Sequence, residues 1–196
     1  MREVFGSQIP LAHELLTENL RSVGRGARVY PGARIIRPEV VDLGVYCQID
    51  ESVFLFGGEN TKIGDFAHLA WNSCIVGGGA THLGSFVGIS FGVCLLSGTE
   101  DFHRGLTTPA VGLERRHPKR GTCVIEDHAL VFANSVVHPD VTIGEGAVVG
   151  AGAVVHRSLK PWGVYAGTPL VQVGRRDREK VLDLAEQERN ERKNRH

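Results

Sequence analysis

The sequence predicts an all-β fold in which the chain winds into about six triangular coils, and three observations lead to this prediction. An aliphatic residue recurs at every sixth place of the stretch 125–155, at Ile125, Val131, Val137, Ile143, Val149 and Val155. A small or β-branched residue stands two places before the next aliphatic one, at Ala129, Ser135, Val141, Ala147 and Ala153. The same spacing, with interruptions, extends back to Val23. A period of six matches neither the 3.6-residue period of a helix nor the simple alternation of one strand.

Such a period fits a solenoid with three short strands in each coil and one aliphatic side chain per strand turned inward. Coils stacked at the spacing of strands, roughly 4.8 Å, would bury these side chains in columns. Burial of each aliphatic side chain contributes roughly 1.5–3 kcal/mol, so the stack alone can hold a domain together. Before the long interruption the predicted inward residues are Val23, Val29, Ile35, Val41, Cys47, Val53, Ile63, Leu69, Ile75, Leu83, Ile89 and Leu95.

The segments outside the repeats complete the predicted organisation. Residues 1–22 contain the helix-forming run LAHELLTENL and should cap the top of the stack, because a repeat that cannot close on itself needs a cover. The stack itself is predicted over 23–160, and a polar loop at 98–122, too long for a simple connection, is inserted into it. Residues 161–196 are predicted to form an extended segment with Pro and Gly, followed by a charged helix.

Bulk composition narrows the classes of function. Lys plus Arg and Asp plus Glu both total 22, so the overall charge favours neither a nucleic-acid partner nor a membrane surface. The sequence has no apolar run near the roughly 20 residues of a membrane span and opens on no signal peptide, so we expect a cytoplasmic protein. The four cysteines lack CxxC spacing and are interpreted as reduced packing residues.

Four segments, taken together and in order, resemble one known family. They are LFGGENTKIGDFAHLA, LLSGTEDFHRGLTTPAV, the hexads of 125–155 and KPWGVYAGTP. Over about 23–175 the chain is similar to hexapeptide-repeat acyltransferases that use acetyl-CoA. Within them it resembles the nucleotide-amino-sugar branch typified by dTDP-4-amino-4,6-dideoxy-D-glucose acyltransferases.

The resemblance implies a fold, a reaction and an assembly. The fold would be a left-handed parallel β-helix, with a helix at each end and one long protruding loop. The reaction would transfer an acetyl group from acetyl-CoA to the amine of a nucleotide-linked 4-amino-4,6-dideoxyhexose, without a metal, in the synthesis of bacterial surface polysaccharide such as the lipopolysaccharide O-antigen. The assembly would be a homotrimer whose active sites lie between subunits and combine His68 of one chain with the 98–122 loop of the next.

The reaction needs a general base that accepts the amine proton. His68 is the first candidate, because it precedes the inward Leu69 and should face outward, above a Gly88 that leaves space for the pantetheine arm. Glu100 and Asp101, where the long loop begins, are further catalytic candidates that could serve as base, orient a histidine or bind sugar hydroxyls. The alternative for all three is a structural role, as a surface hydrogen-bond partner or a cap of the loop.

Candidate substrate-binding residues surround these positions. Trp71 and Asn72 follow His68, and Trp71 could stack on the sugar or form an inter-subunit contact. His82 lies eighteen residues before Glu100, which predicts that the two stack roughly 5 Å apart on neighbouring coils, as a catalytic or a structural pair. His103 lies inside the loop.

The resemblance places acetyl-CoA along the later coils, where small residues would let a long ligand approach the backbone. Arg175 suits the 3′-phosphate because a guanidinium matches phosphate geometry, although a solvated charged tail is the alternative. The remaining cofactor-binding residues that the resemblance implies are Ala133, Ala151, His156, Arg157, Gly167 and Thr168.

Three other functions are compatible with a triangular coil stack. The chain also resembles galactoside and maltose O-acetyltransferases, but those carry a catalytic histidine where this chain has Glu100. A zinc-dependent carbonic anhydrase of the same architecture would need two histidines five residues apart, and this spacing is missing. A non-catalytic scaffold would not need the cofactor-side pattern of GAGAVV and YAGTP. Amine and hydroxyl acceptors, and acyl groups longer than acetyl, are all compatible with the sequence.

Overall fold

The computed structural model describes residues 10–194 and contains two α-helices, α1 (His13–Asn19) and α2 (Arg178–Asn194), within that range. The strands, in chain order, are β1 Ser22–Val23, β2 Arg28–Val29, β3 Arg34–Ile36, β4 Val41–Leu43, β5 Gln48–Ile49, β6 Phe54–Phe56, β7 Asn60–Ile63, β8 His68–Leu69, β9 Cys74–Val76, β10 Ala80–Leu83, β11 Gly88–Ile89, β12 Cys94–Leu96, β13 Gly98–Glu100, β14 Pro118–Arg120, β15 Thr122–Ile125, β16 Leu130–Val131, β17 Val136–Val137, β18 Thr142–Ile143, β19 Val148–Val149, β20 Val154–Val155, β21 Gly163–Ala166 and β22 Val171–Arg175.

Three parallel sheets form the walls of a triangular stack, as the sequence predicts. Wall A has the strand order β1-β4-β7-β10-β15-β18, and wall C has the order β3-β6-β9-β12-β17-β20. Wall B has the order β2-β5-β8-β11-β16-β19-β21-β22, in which the last pair is antiparallel. Each coil contributes one strand to each wall, and β13 and β14 form a separate antiparallel pair at the base of the long loop.

The inward columns are confirmed, but the predicted register of the second coil is wrong. A 3-10 turn at Pro38–Val40 lengthens the first coil, so Val23 is followed in wall A by Leu43, twenty residues later. The inward residues of this coil are Leu43, Ile49 and Leu55. Val41, Cys47 and Val53, which were predicted to be the inward residues, lie two places before them, where the other coils have a small or β-branched residue, and they are buried there. With this correction every inward position is Val, Ile or Leu.

Both ends of the stack are covered. At the top, Leu16 of α1 and Leu20, directly after the helix, are buried, and the backbone N–H of Leu11 donates to the carbonyl of Val29 at 2.8 Å. This agrees with the predicted capping helix, although residues 1–9 of that segment lie outside the described residues. The segment that follows β20, in which Leu159 and Leu170 are buried, closes the other end of the stack.

Aromatic rings line the corner between walls A and B. They stack one above the next with centroids 4.7 to 6.4 Å apart, because corner residues of successive coils are in register. Burial lowers the pKa of the one histidine in this column, His128. We call this column the aromatic spine, and its members are Tyr46, Phe66, Phe86, His128 and Trp162.

The charged C-terminal helix lies against the aromatic spine. The guanidinium groups of Arg189 and Arg192 lie 4.9 and 4.8 Å from the ring centres of Phe86 and Tyr46. Cations above aromatic faces are attracted by the ring quadrupole, typically by about 0.5–1 kcal/mol at exposed sites. The helix therefore runs across the coils along the aromatic spine.

The outer face of wall C is apolar. Inward Leu55, Ile75 and Leu95 alternate with outward residues that are only half-buried within one chain. The outward residues on this face include Phe54, Phe56, Cys74, Val76, Cys94, Leu96 and Val136.

All four cysteines are free thiols, which agrees with the sequence-based expectation. Neither described helix is long and apolar enough to cross a membrane.

Candidate active site

The corner between walls B and C carries most of the predicted ligand-binding residues. Each corner residue follows the inward residue of a wall-B strand by two places, and these strands are in register from β8 to β21. The backbone N–H of Asn134 donates to the carbonyl of Phe91 at 3.1 Å, and that of Gly152 donates to Ala133 at 2.9 Å, which ties successive corners together. We call this column the corner edge, and its members are Trp71, Phe91, Ala133, Ala151 and Gly167.

Small residues occupy the lower part of the corner edge. Ala133 is half-buried, and Ala151 and Gly167 are exposed. In three successive coils the corner residue therefore has no side chain larger than a methyl group. Thr168 lies beside Gly167. The four cofactor residues that the resemblance implies at this corner thus lie along one line of the structure.

Two aromatic residues occupy the upper part of the same edge. The rings of Trp71 and Phe91 stack with centroids 5.2 Å apart and planes 9° from parallel. Both remain exposed, Trp71 at 54% and Phe91 at 39%. Asn72 forms the turn beside Trp71, with a positive φ of 61°. Trp71 and Asn72 thus lie on the line of the cofactor residues, two coils above Ala133.

His68 faces outward from wall B, and its partner in the next coil is Gly88, as predicted. Its Nε2 lies 2.9 Å from Oδ2 of Asp50, a residue of the preceding coil. The amide of Gln48 donates to the other oxygen of Asp50 at 2.7 Å. A carboxylate at Nε2 favours the tautomer that carries its proton there, which leaves the lone pair of Nδ1 available to accept a proton. The geometry is that of a base held by an orienting carboxylate.

Glu100 lies at the root of the long loop and is engaged in an ion pair. Its Oε1 accepts a hydrogen bond from the guanidinium of Arg116, and the two side chains are only 21% and 13% exposed. The second oxygen of Glu100 and Nε of Arg116 are both buried and make no hydrogen bond within the described residues. Because antiparallel β13 and β14 bring the two ends of the loop together, this pair fixes how the loop leaves the stack.

Asp101 is buried beside the same root. Its Oδ2 lies 3.0 Å from Nζ of Lys119, and its Oδ1 accepts the backbone N–H of His103 at 3.1 Å. The hydrogen bond from Lys119 lowers the pKa of Asp101, so the group is an ionised carboxylate at neutral pH. The ring of His103 is exposed and lies against Phe102, with ring centroids 4.3 Å apart.

The predicted stacking of His82 on Glu100 is wrong. His82 pairs with Lys62 in one neighbouring coil and with Val124 in the other. The loop inserted after β12 lengthens this coil, so an offset of eighteen residues does not reach the same place on the next one. Burial, followed by the charge of Lys62, lowers the pKa of His82. His82 lies on wall A, away from the corner edge.

The other predicted cofactor residues lie near the lower end of the stack. His156 is exposed where the chain leaves β20, and the guanidinium of Arg157 donates to the carbonyl of Leu170 at 3.1 Å. Arg175 ends β22 and is exposed. Its neighbour Arg176 instead donates to the carbonyl of His128 at 2.5 Å, which makes Arg175 the better placed of the two for a phosphate.

Within one chain His68 and the long loop leave the stack at different places. His68 and Trp71 belong to the same wall-B strand and the turn that follows it, whereas Glu100 and Asp101 leave the stack between walls C and A. Sequence reasoning missed Asp50, Phe91 and Arg116. A twenty-residue offset from Trp71 would have identified Phe91. Within residues 10–194, no group of three His, Cys, Asp or Glu side chains is arranged to hold a metal ion.

The chain is similar in sequence to known acyltransferases. Residues 122–157 match the bacterial transferase hexapeptide (six repeats) family. A dTDP-4-amino-4,6-dideoxy-D-glucose acyltransferase of Escherichia coli is 29% identical over 173 residues, which are 87% of this chain and 90% of that protein. The predicted resemblance to hexapeptide-repeat acyltransferases is confirmed.

Solved structures agree with this assignment. A variant of AntD, an N-acyltransferase from Bacillus cereus in complex with dTDP-4-amino-4,6-dideoxyglucose and coenzyme A, matches this chain with a TM-score of 0.87 and 27% identity, over 95% of this chain and 100% of AntD. A hexapeptide-repeat acetyltransferase from Vibrio cholerae, complexed with acetyl-CoA, matches with a TM-score of 0.58 and 21% identity, over 84% of this chain and 76% of that one, and shows the fold alone. The left-handed parallel β-helix is confirmed by these structures, and the acyltransferase class is confirmed by AntD and the Escherichia coli relative.

Proposed function

We propose that this protein transfers an acetyl group from acetyl-CoA to the amine of a nucleotide-linked amino sugar of the 4-amino-4,6-dideoxyhexose type. One observation carries the proposal: a line of small residues along the lower corner edge ends at Ala133, two coils below an outward imidazole that a carboxylate orients. AntD, which matches this chain over nearly all its length, was captured with a sugar nucleotide of this type and coenzyme A. We expect the reaction to take place in the cytoplasm and to supply bacterial surface-polysaccharide synthesis.

The cofactor would lie along the small residues of the corner edge. Its pantetheine arm would pass Gly167, Ala151 and Ala133 in turn, with the thioester uppermost. Arg175 would bind the 3′-phosphate, and His156 and Arg157 would contact the nucleotide end. The line covers three coils, or two spacings of roughly 4.8 Å, which suits an extended arm and not a compact ligand.

The chemistry requires one proton acceptor and no covalent intermediate on the enzyme. The lone pair of the sugar amine attacks the thioester carbonyl, a C–N bond forms and the C–S bond breaks. Nδ1 of His68 accepts the amine proton, while Asp50 stabilises the imidazolium through Nε2. The coenzyme A thiolate leaves and takes up the proton, which restores neutral His68.

The complete site would lie between subunits of a homotrimer. His68 and the loop root leave one chain at different corners, so one chain alone does not join them, but the loop of a neighbour would reach the corner edge. The apolar outer face of wall C is a suitable contact surface between subunits, because exposed apolar area of this kind is characteristic of interfaces. Light scattering coupled to size exclusion should give three times the mass of one chain; a monomer would contradict this arrangement.

The function is tested by thiol release from acetyl-CoA with a panel of acceptors. The panel contains the dTDP-linked 4-amino and 3-amino dideoxyhexoses and, as a control, simple galactosides. Amine-dependent thiol release with formation of the N-acetyl sugar is expected. Turnover with galactosides alone would contradict the proposal in favour of O-acetylation. Absence of coenzyme A binding would contradict acyl transfer altogether and favour a scaffold.

The position of the cofactor yields a sharp prediction. Ala151→Phe should weaken coenzyme A binding by 100-fold or more, on the order of 3 kcal/mol, because a ring at this corner would block the arm and cannot be accommodated without strain. Isothermal titration of coenzyme A measures the effect. Ala12→Phe, at the start of the capping helix, is the matched control and should bind normally. Unchanged affinity in Ala151→Phe would place the cofactor elsewhere.

A further inference from the structure

The residues of the corner edge change from small to aromatic between two neighbouring coils, those of β16 and β11. Below this level its residues are Ala133, Ala151 and Gly167, and above it they are Phe91 and Trp71. The carbonyl of Phe91 accepts the N–H of Asn134, the neighbour of Ala133, so the first aromatic residue lies directly above the last small one. A ligand that follows the small residues upward therefore meets the ring of Phe91 first.

The position of Phe91 is well defined and yet accessible. Its ring lies flat against that of Trp71, with planes only 9° apart, and such stacking holds both rings in place. At the same time 39% of the residue is exposed. A ring that is supported from above and open from the side is suited to act as a fixed end wall for a chain approaching from below.

We propose that Phe91 is a specificity-determining residue that limits the length of the transferred acyl group. This inference rests on the proposed function and on the proposed path of acyl-CoA. It concerns the acyl group, which would lie above the small residues of the corner edge. With the thioester carbonyl over wall B, between the coils of Ala133 and Gly88, the sugar amine would lie over Gly88 and within reach of His68 in the next coil. An acetyl methyl would then fit beneath Phe91, whereas a four-carbon acyl group would collide with its ring. Trp71, one coil higher, would become the end wall if Phe91 were small.

The geometry sets the scale of the effect. Replacing Phe91 by alanine would extend the small-residue line by one coil, roughly 4.8 Å. Because a carbon–carbon bond is about 1.5 Å long, this space accepts two or three further carbon atoms and no more. The turn itself should tolerate the change, because Phe91 is not among the residues with positive φ. Butyryl and 3-hydroxybutyryl groups should then be accepted, while an octanoyl group should still be rejected by Trp71.

The test compares acetyl-CoA with butyryl-CoA and 3-hydroxybutyryl-CoA in the full-length protein. The unaltered protein should prefer acetyl-CoA. Phe91→Ala should raise the butyryl-to-acetyl ratio of kcat/KM by about 10- to 200-fold, the discrimination typical of one or two methylene groups in a pocket. Calorimetric binding of the same acyl-CoA esters, without any acceptor, should show a shift in the same direction. Phe86→Ala, which removes a stacked ring of the aromatic spine at a different corner, is the matched control and should leave the ratio unchanged.

The outcomes separate this inference from the proposed function. If acyl-CoA esters bind and react but the ratio is the same in Phe91→Ala, or if the unaltered protein already accepts four-carbon groups equally well, the inference is wrong and the acyltransferase function stands. If no acyl-CoA binds to the unaltered protein, both are wrong. Phe91→Leu, which keeps an apolar residue of intermediate size, should give an intermediate ratio, so a folding defect of the alanine variant alone would not imitate the result.

Discussion

Replacing His68 by glutamine should lower kcat for acyl transfer by about 10²- to 10⁴-fold, the usual contribution of a general base. The amide keeps a polar side chain of similar size on the outer face of wall B but takes up no proton. Because His68 lies above the proposed cofactor path, and not on it, coenzyme A should bind with little change. Steady-state kinetics with the best amino-sugar acceptor, combined with calorimetry for coenzyme A, would measure the two effects separately.

Asp50→Asn tests the same step through the residue that orients the imidazole. The amide can donate to Nε2, and this would favour the tautomer with its proton on Nδ1, where the amine proton has to go. We expect kcat to fall with little change in KM and the pH dependence of kcat to change, whereas Asp50→Glu should restore part of the rate. His13→Gln, an exposed histidine on α1, is the control. Full activity in both His68→Gln and Asp50→Asn would reduce the pair to a surface hydrogen bond.

The walls of the stack could be predicted because each strand carries its own signal. One aliphatic residue per strand, with a small one two places earlier, is repeated in every coil, so an error in one coil does not affect the next. Register between coils has no such signal. The turn at Pro38–Val40 lengthens a coil without disturbing the hexads that follow, and for this reason Val41 was predicted inward where Leu43 is found.

The site was harder to predict because its contacts run across coils. Asp50 and His68 are eighteen residues apart, as are His82 and Glu100, yet only the first two meet. After β12 the chain leaves the stack through β13 and returns to wall A only at β15, so Val124 and not Glu100 lies beside His82. Ala133 and Ala151 of the corner edge could be predicted from the sequence, because they lie in the hexads of 125–155 that carry the family resemblance. The pairing of Glu100 with Arg116 was not accessible, since both belong to a loop without periodicity and meet only because the loop closes on itself.

Replacing Glu100 by alanine should have the second large effect, on the loop and on stability together. It would leave the guanidinium of Arg116, 13% exposed, without its carboxylate partner. Removing one member of a buried ion pair costs about 3–5 kcal/mol, and the partial exposure of this pair places the expected loss in the free energy of unfolding at the lower end of that range. Hydrogen exchange over 98–122 and thermal unfolding would measure the loss. Lys62→Ala, an exposed residue of wall A, is the control.

The double variant Glu100→Leu with Arg116→Met decides what the pair is for. Replacing both charges by apolar side chains of similar size is often neutral for stability, because no charge is then left unpaired. If Glu100 only anchors the loop, the double variant should recover both the stability and most of the transfer rate. If Glu100 also contacts the acceptor through its second oxygen, which makes no hydrogen bond within the described residues, stability should return while kcat/KM for the amino sugar stays low. Since acceptor binding at the loop root is part of the proposed site, we expect the second result, and recovery of the full rate would remove Glu100 from the site.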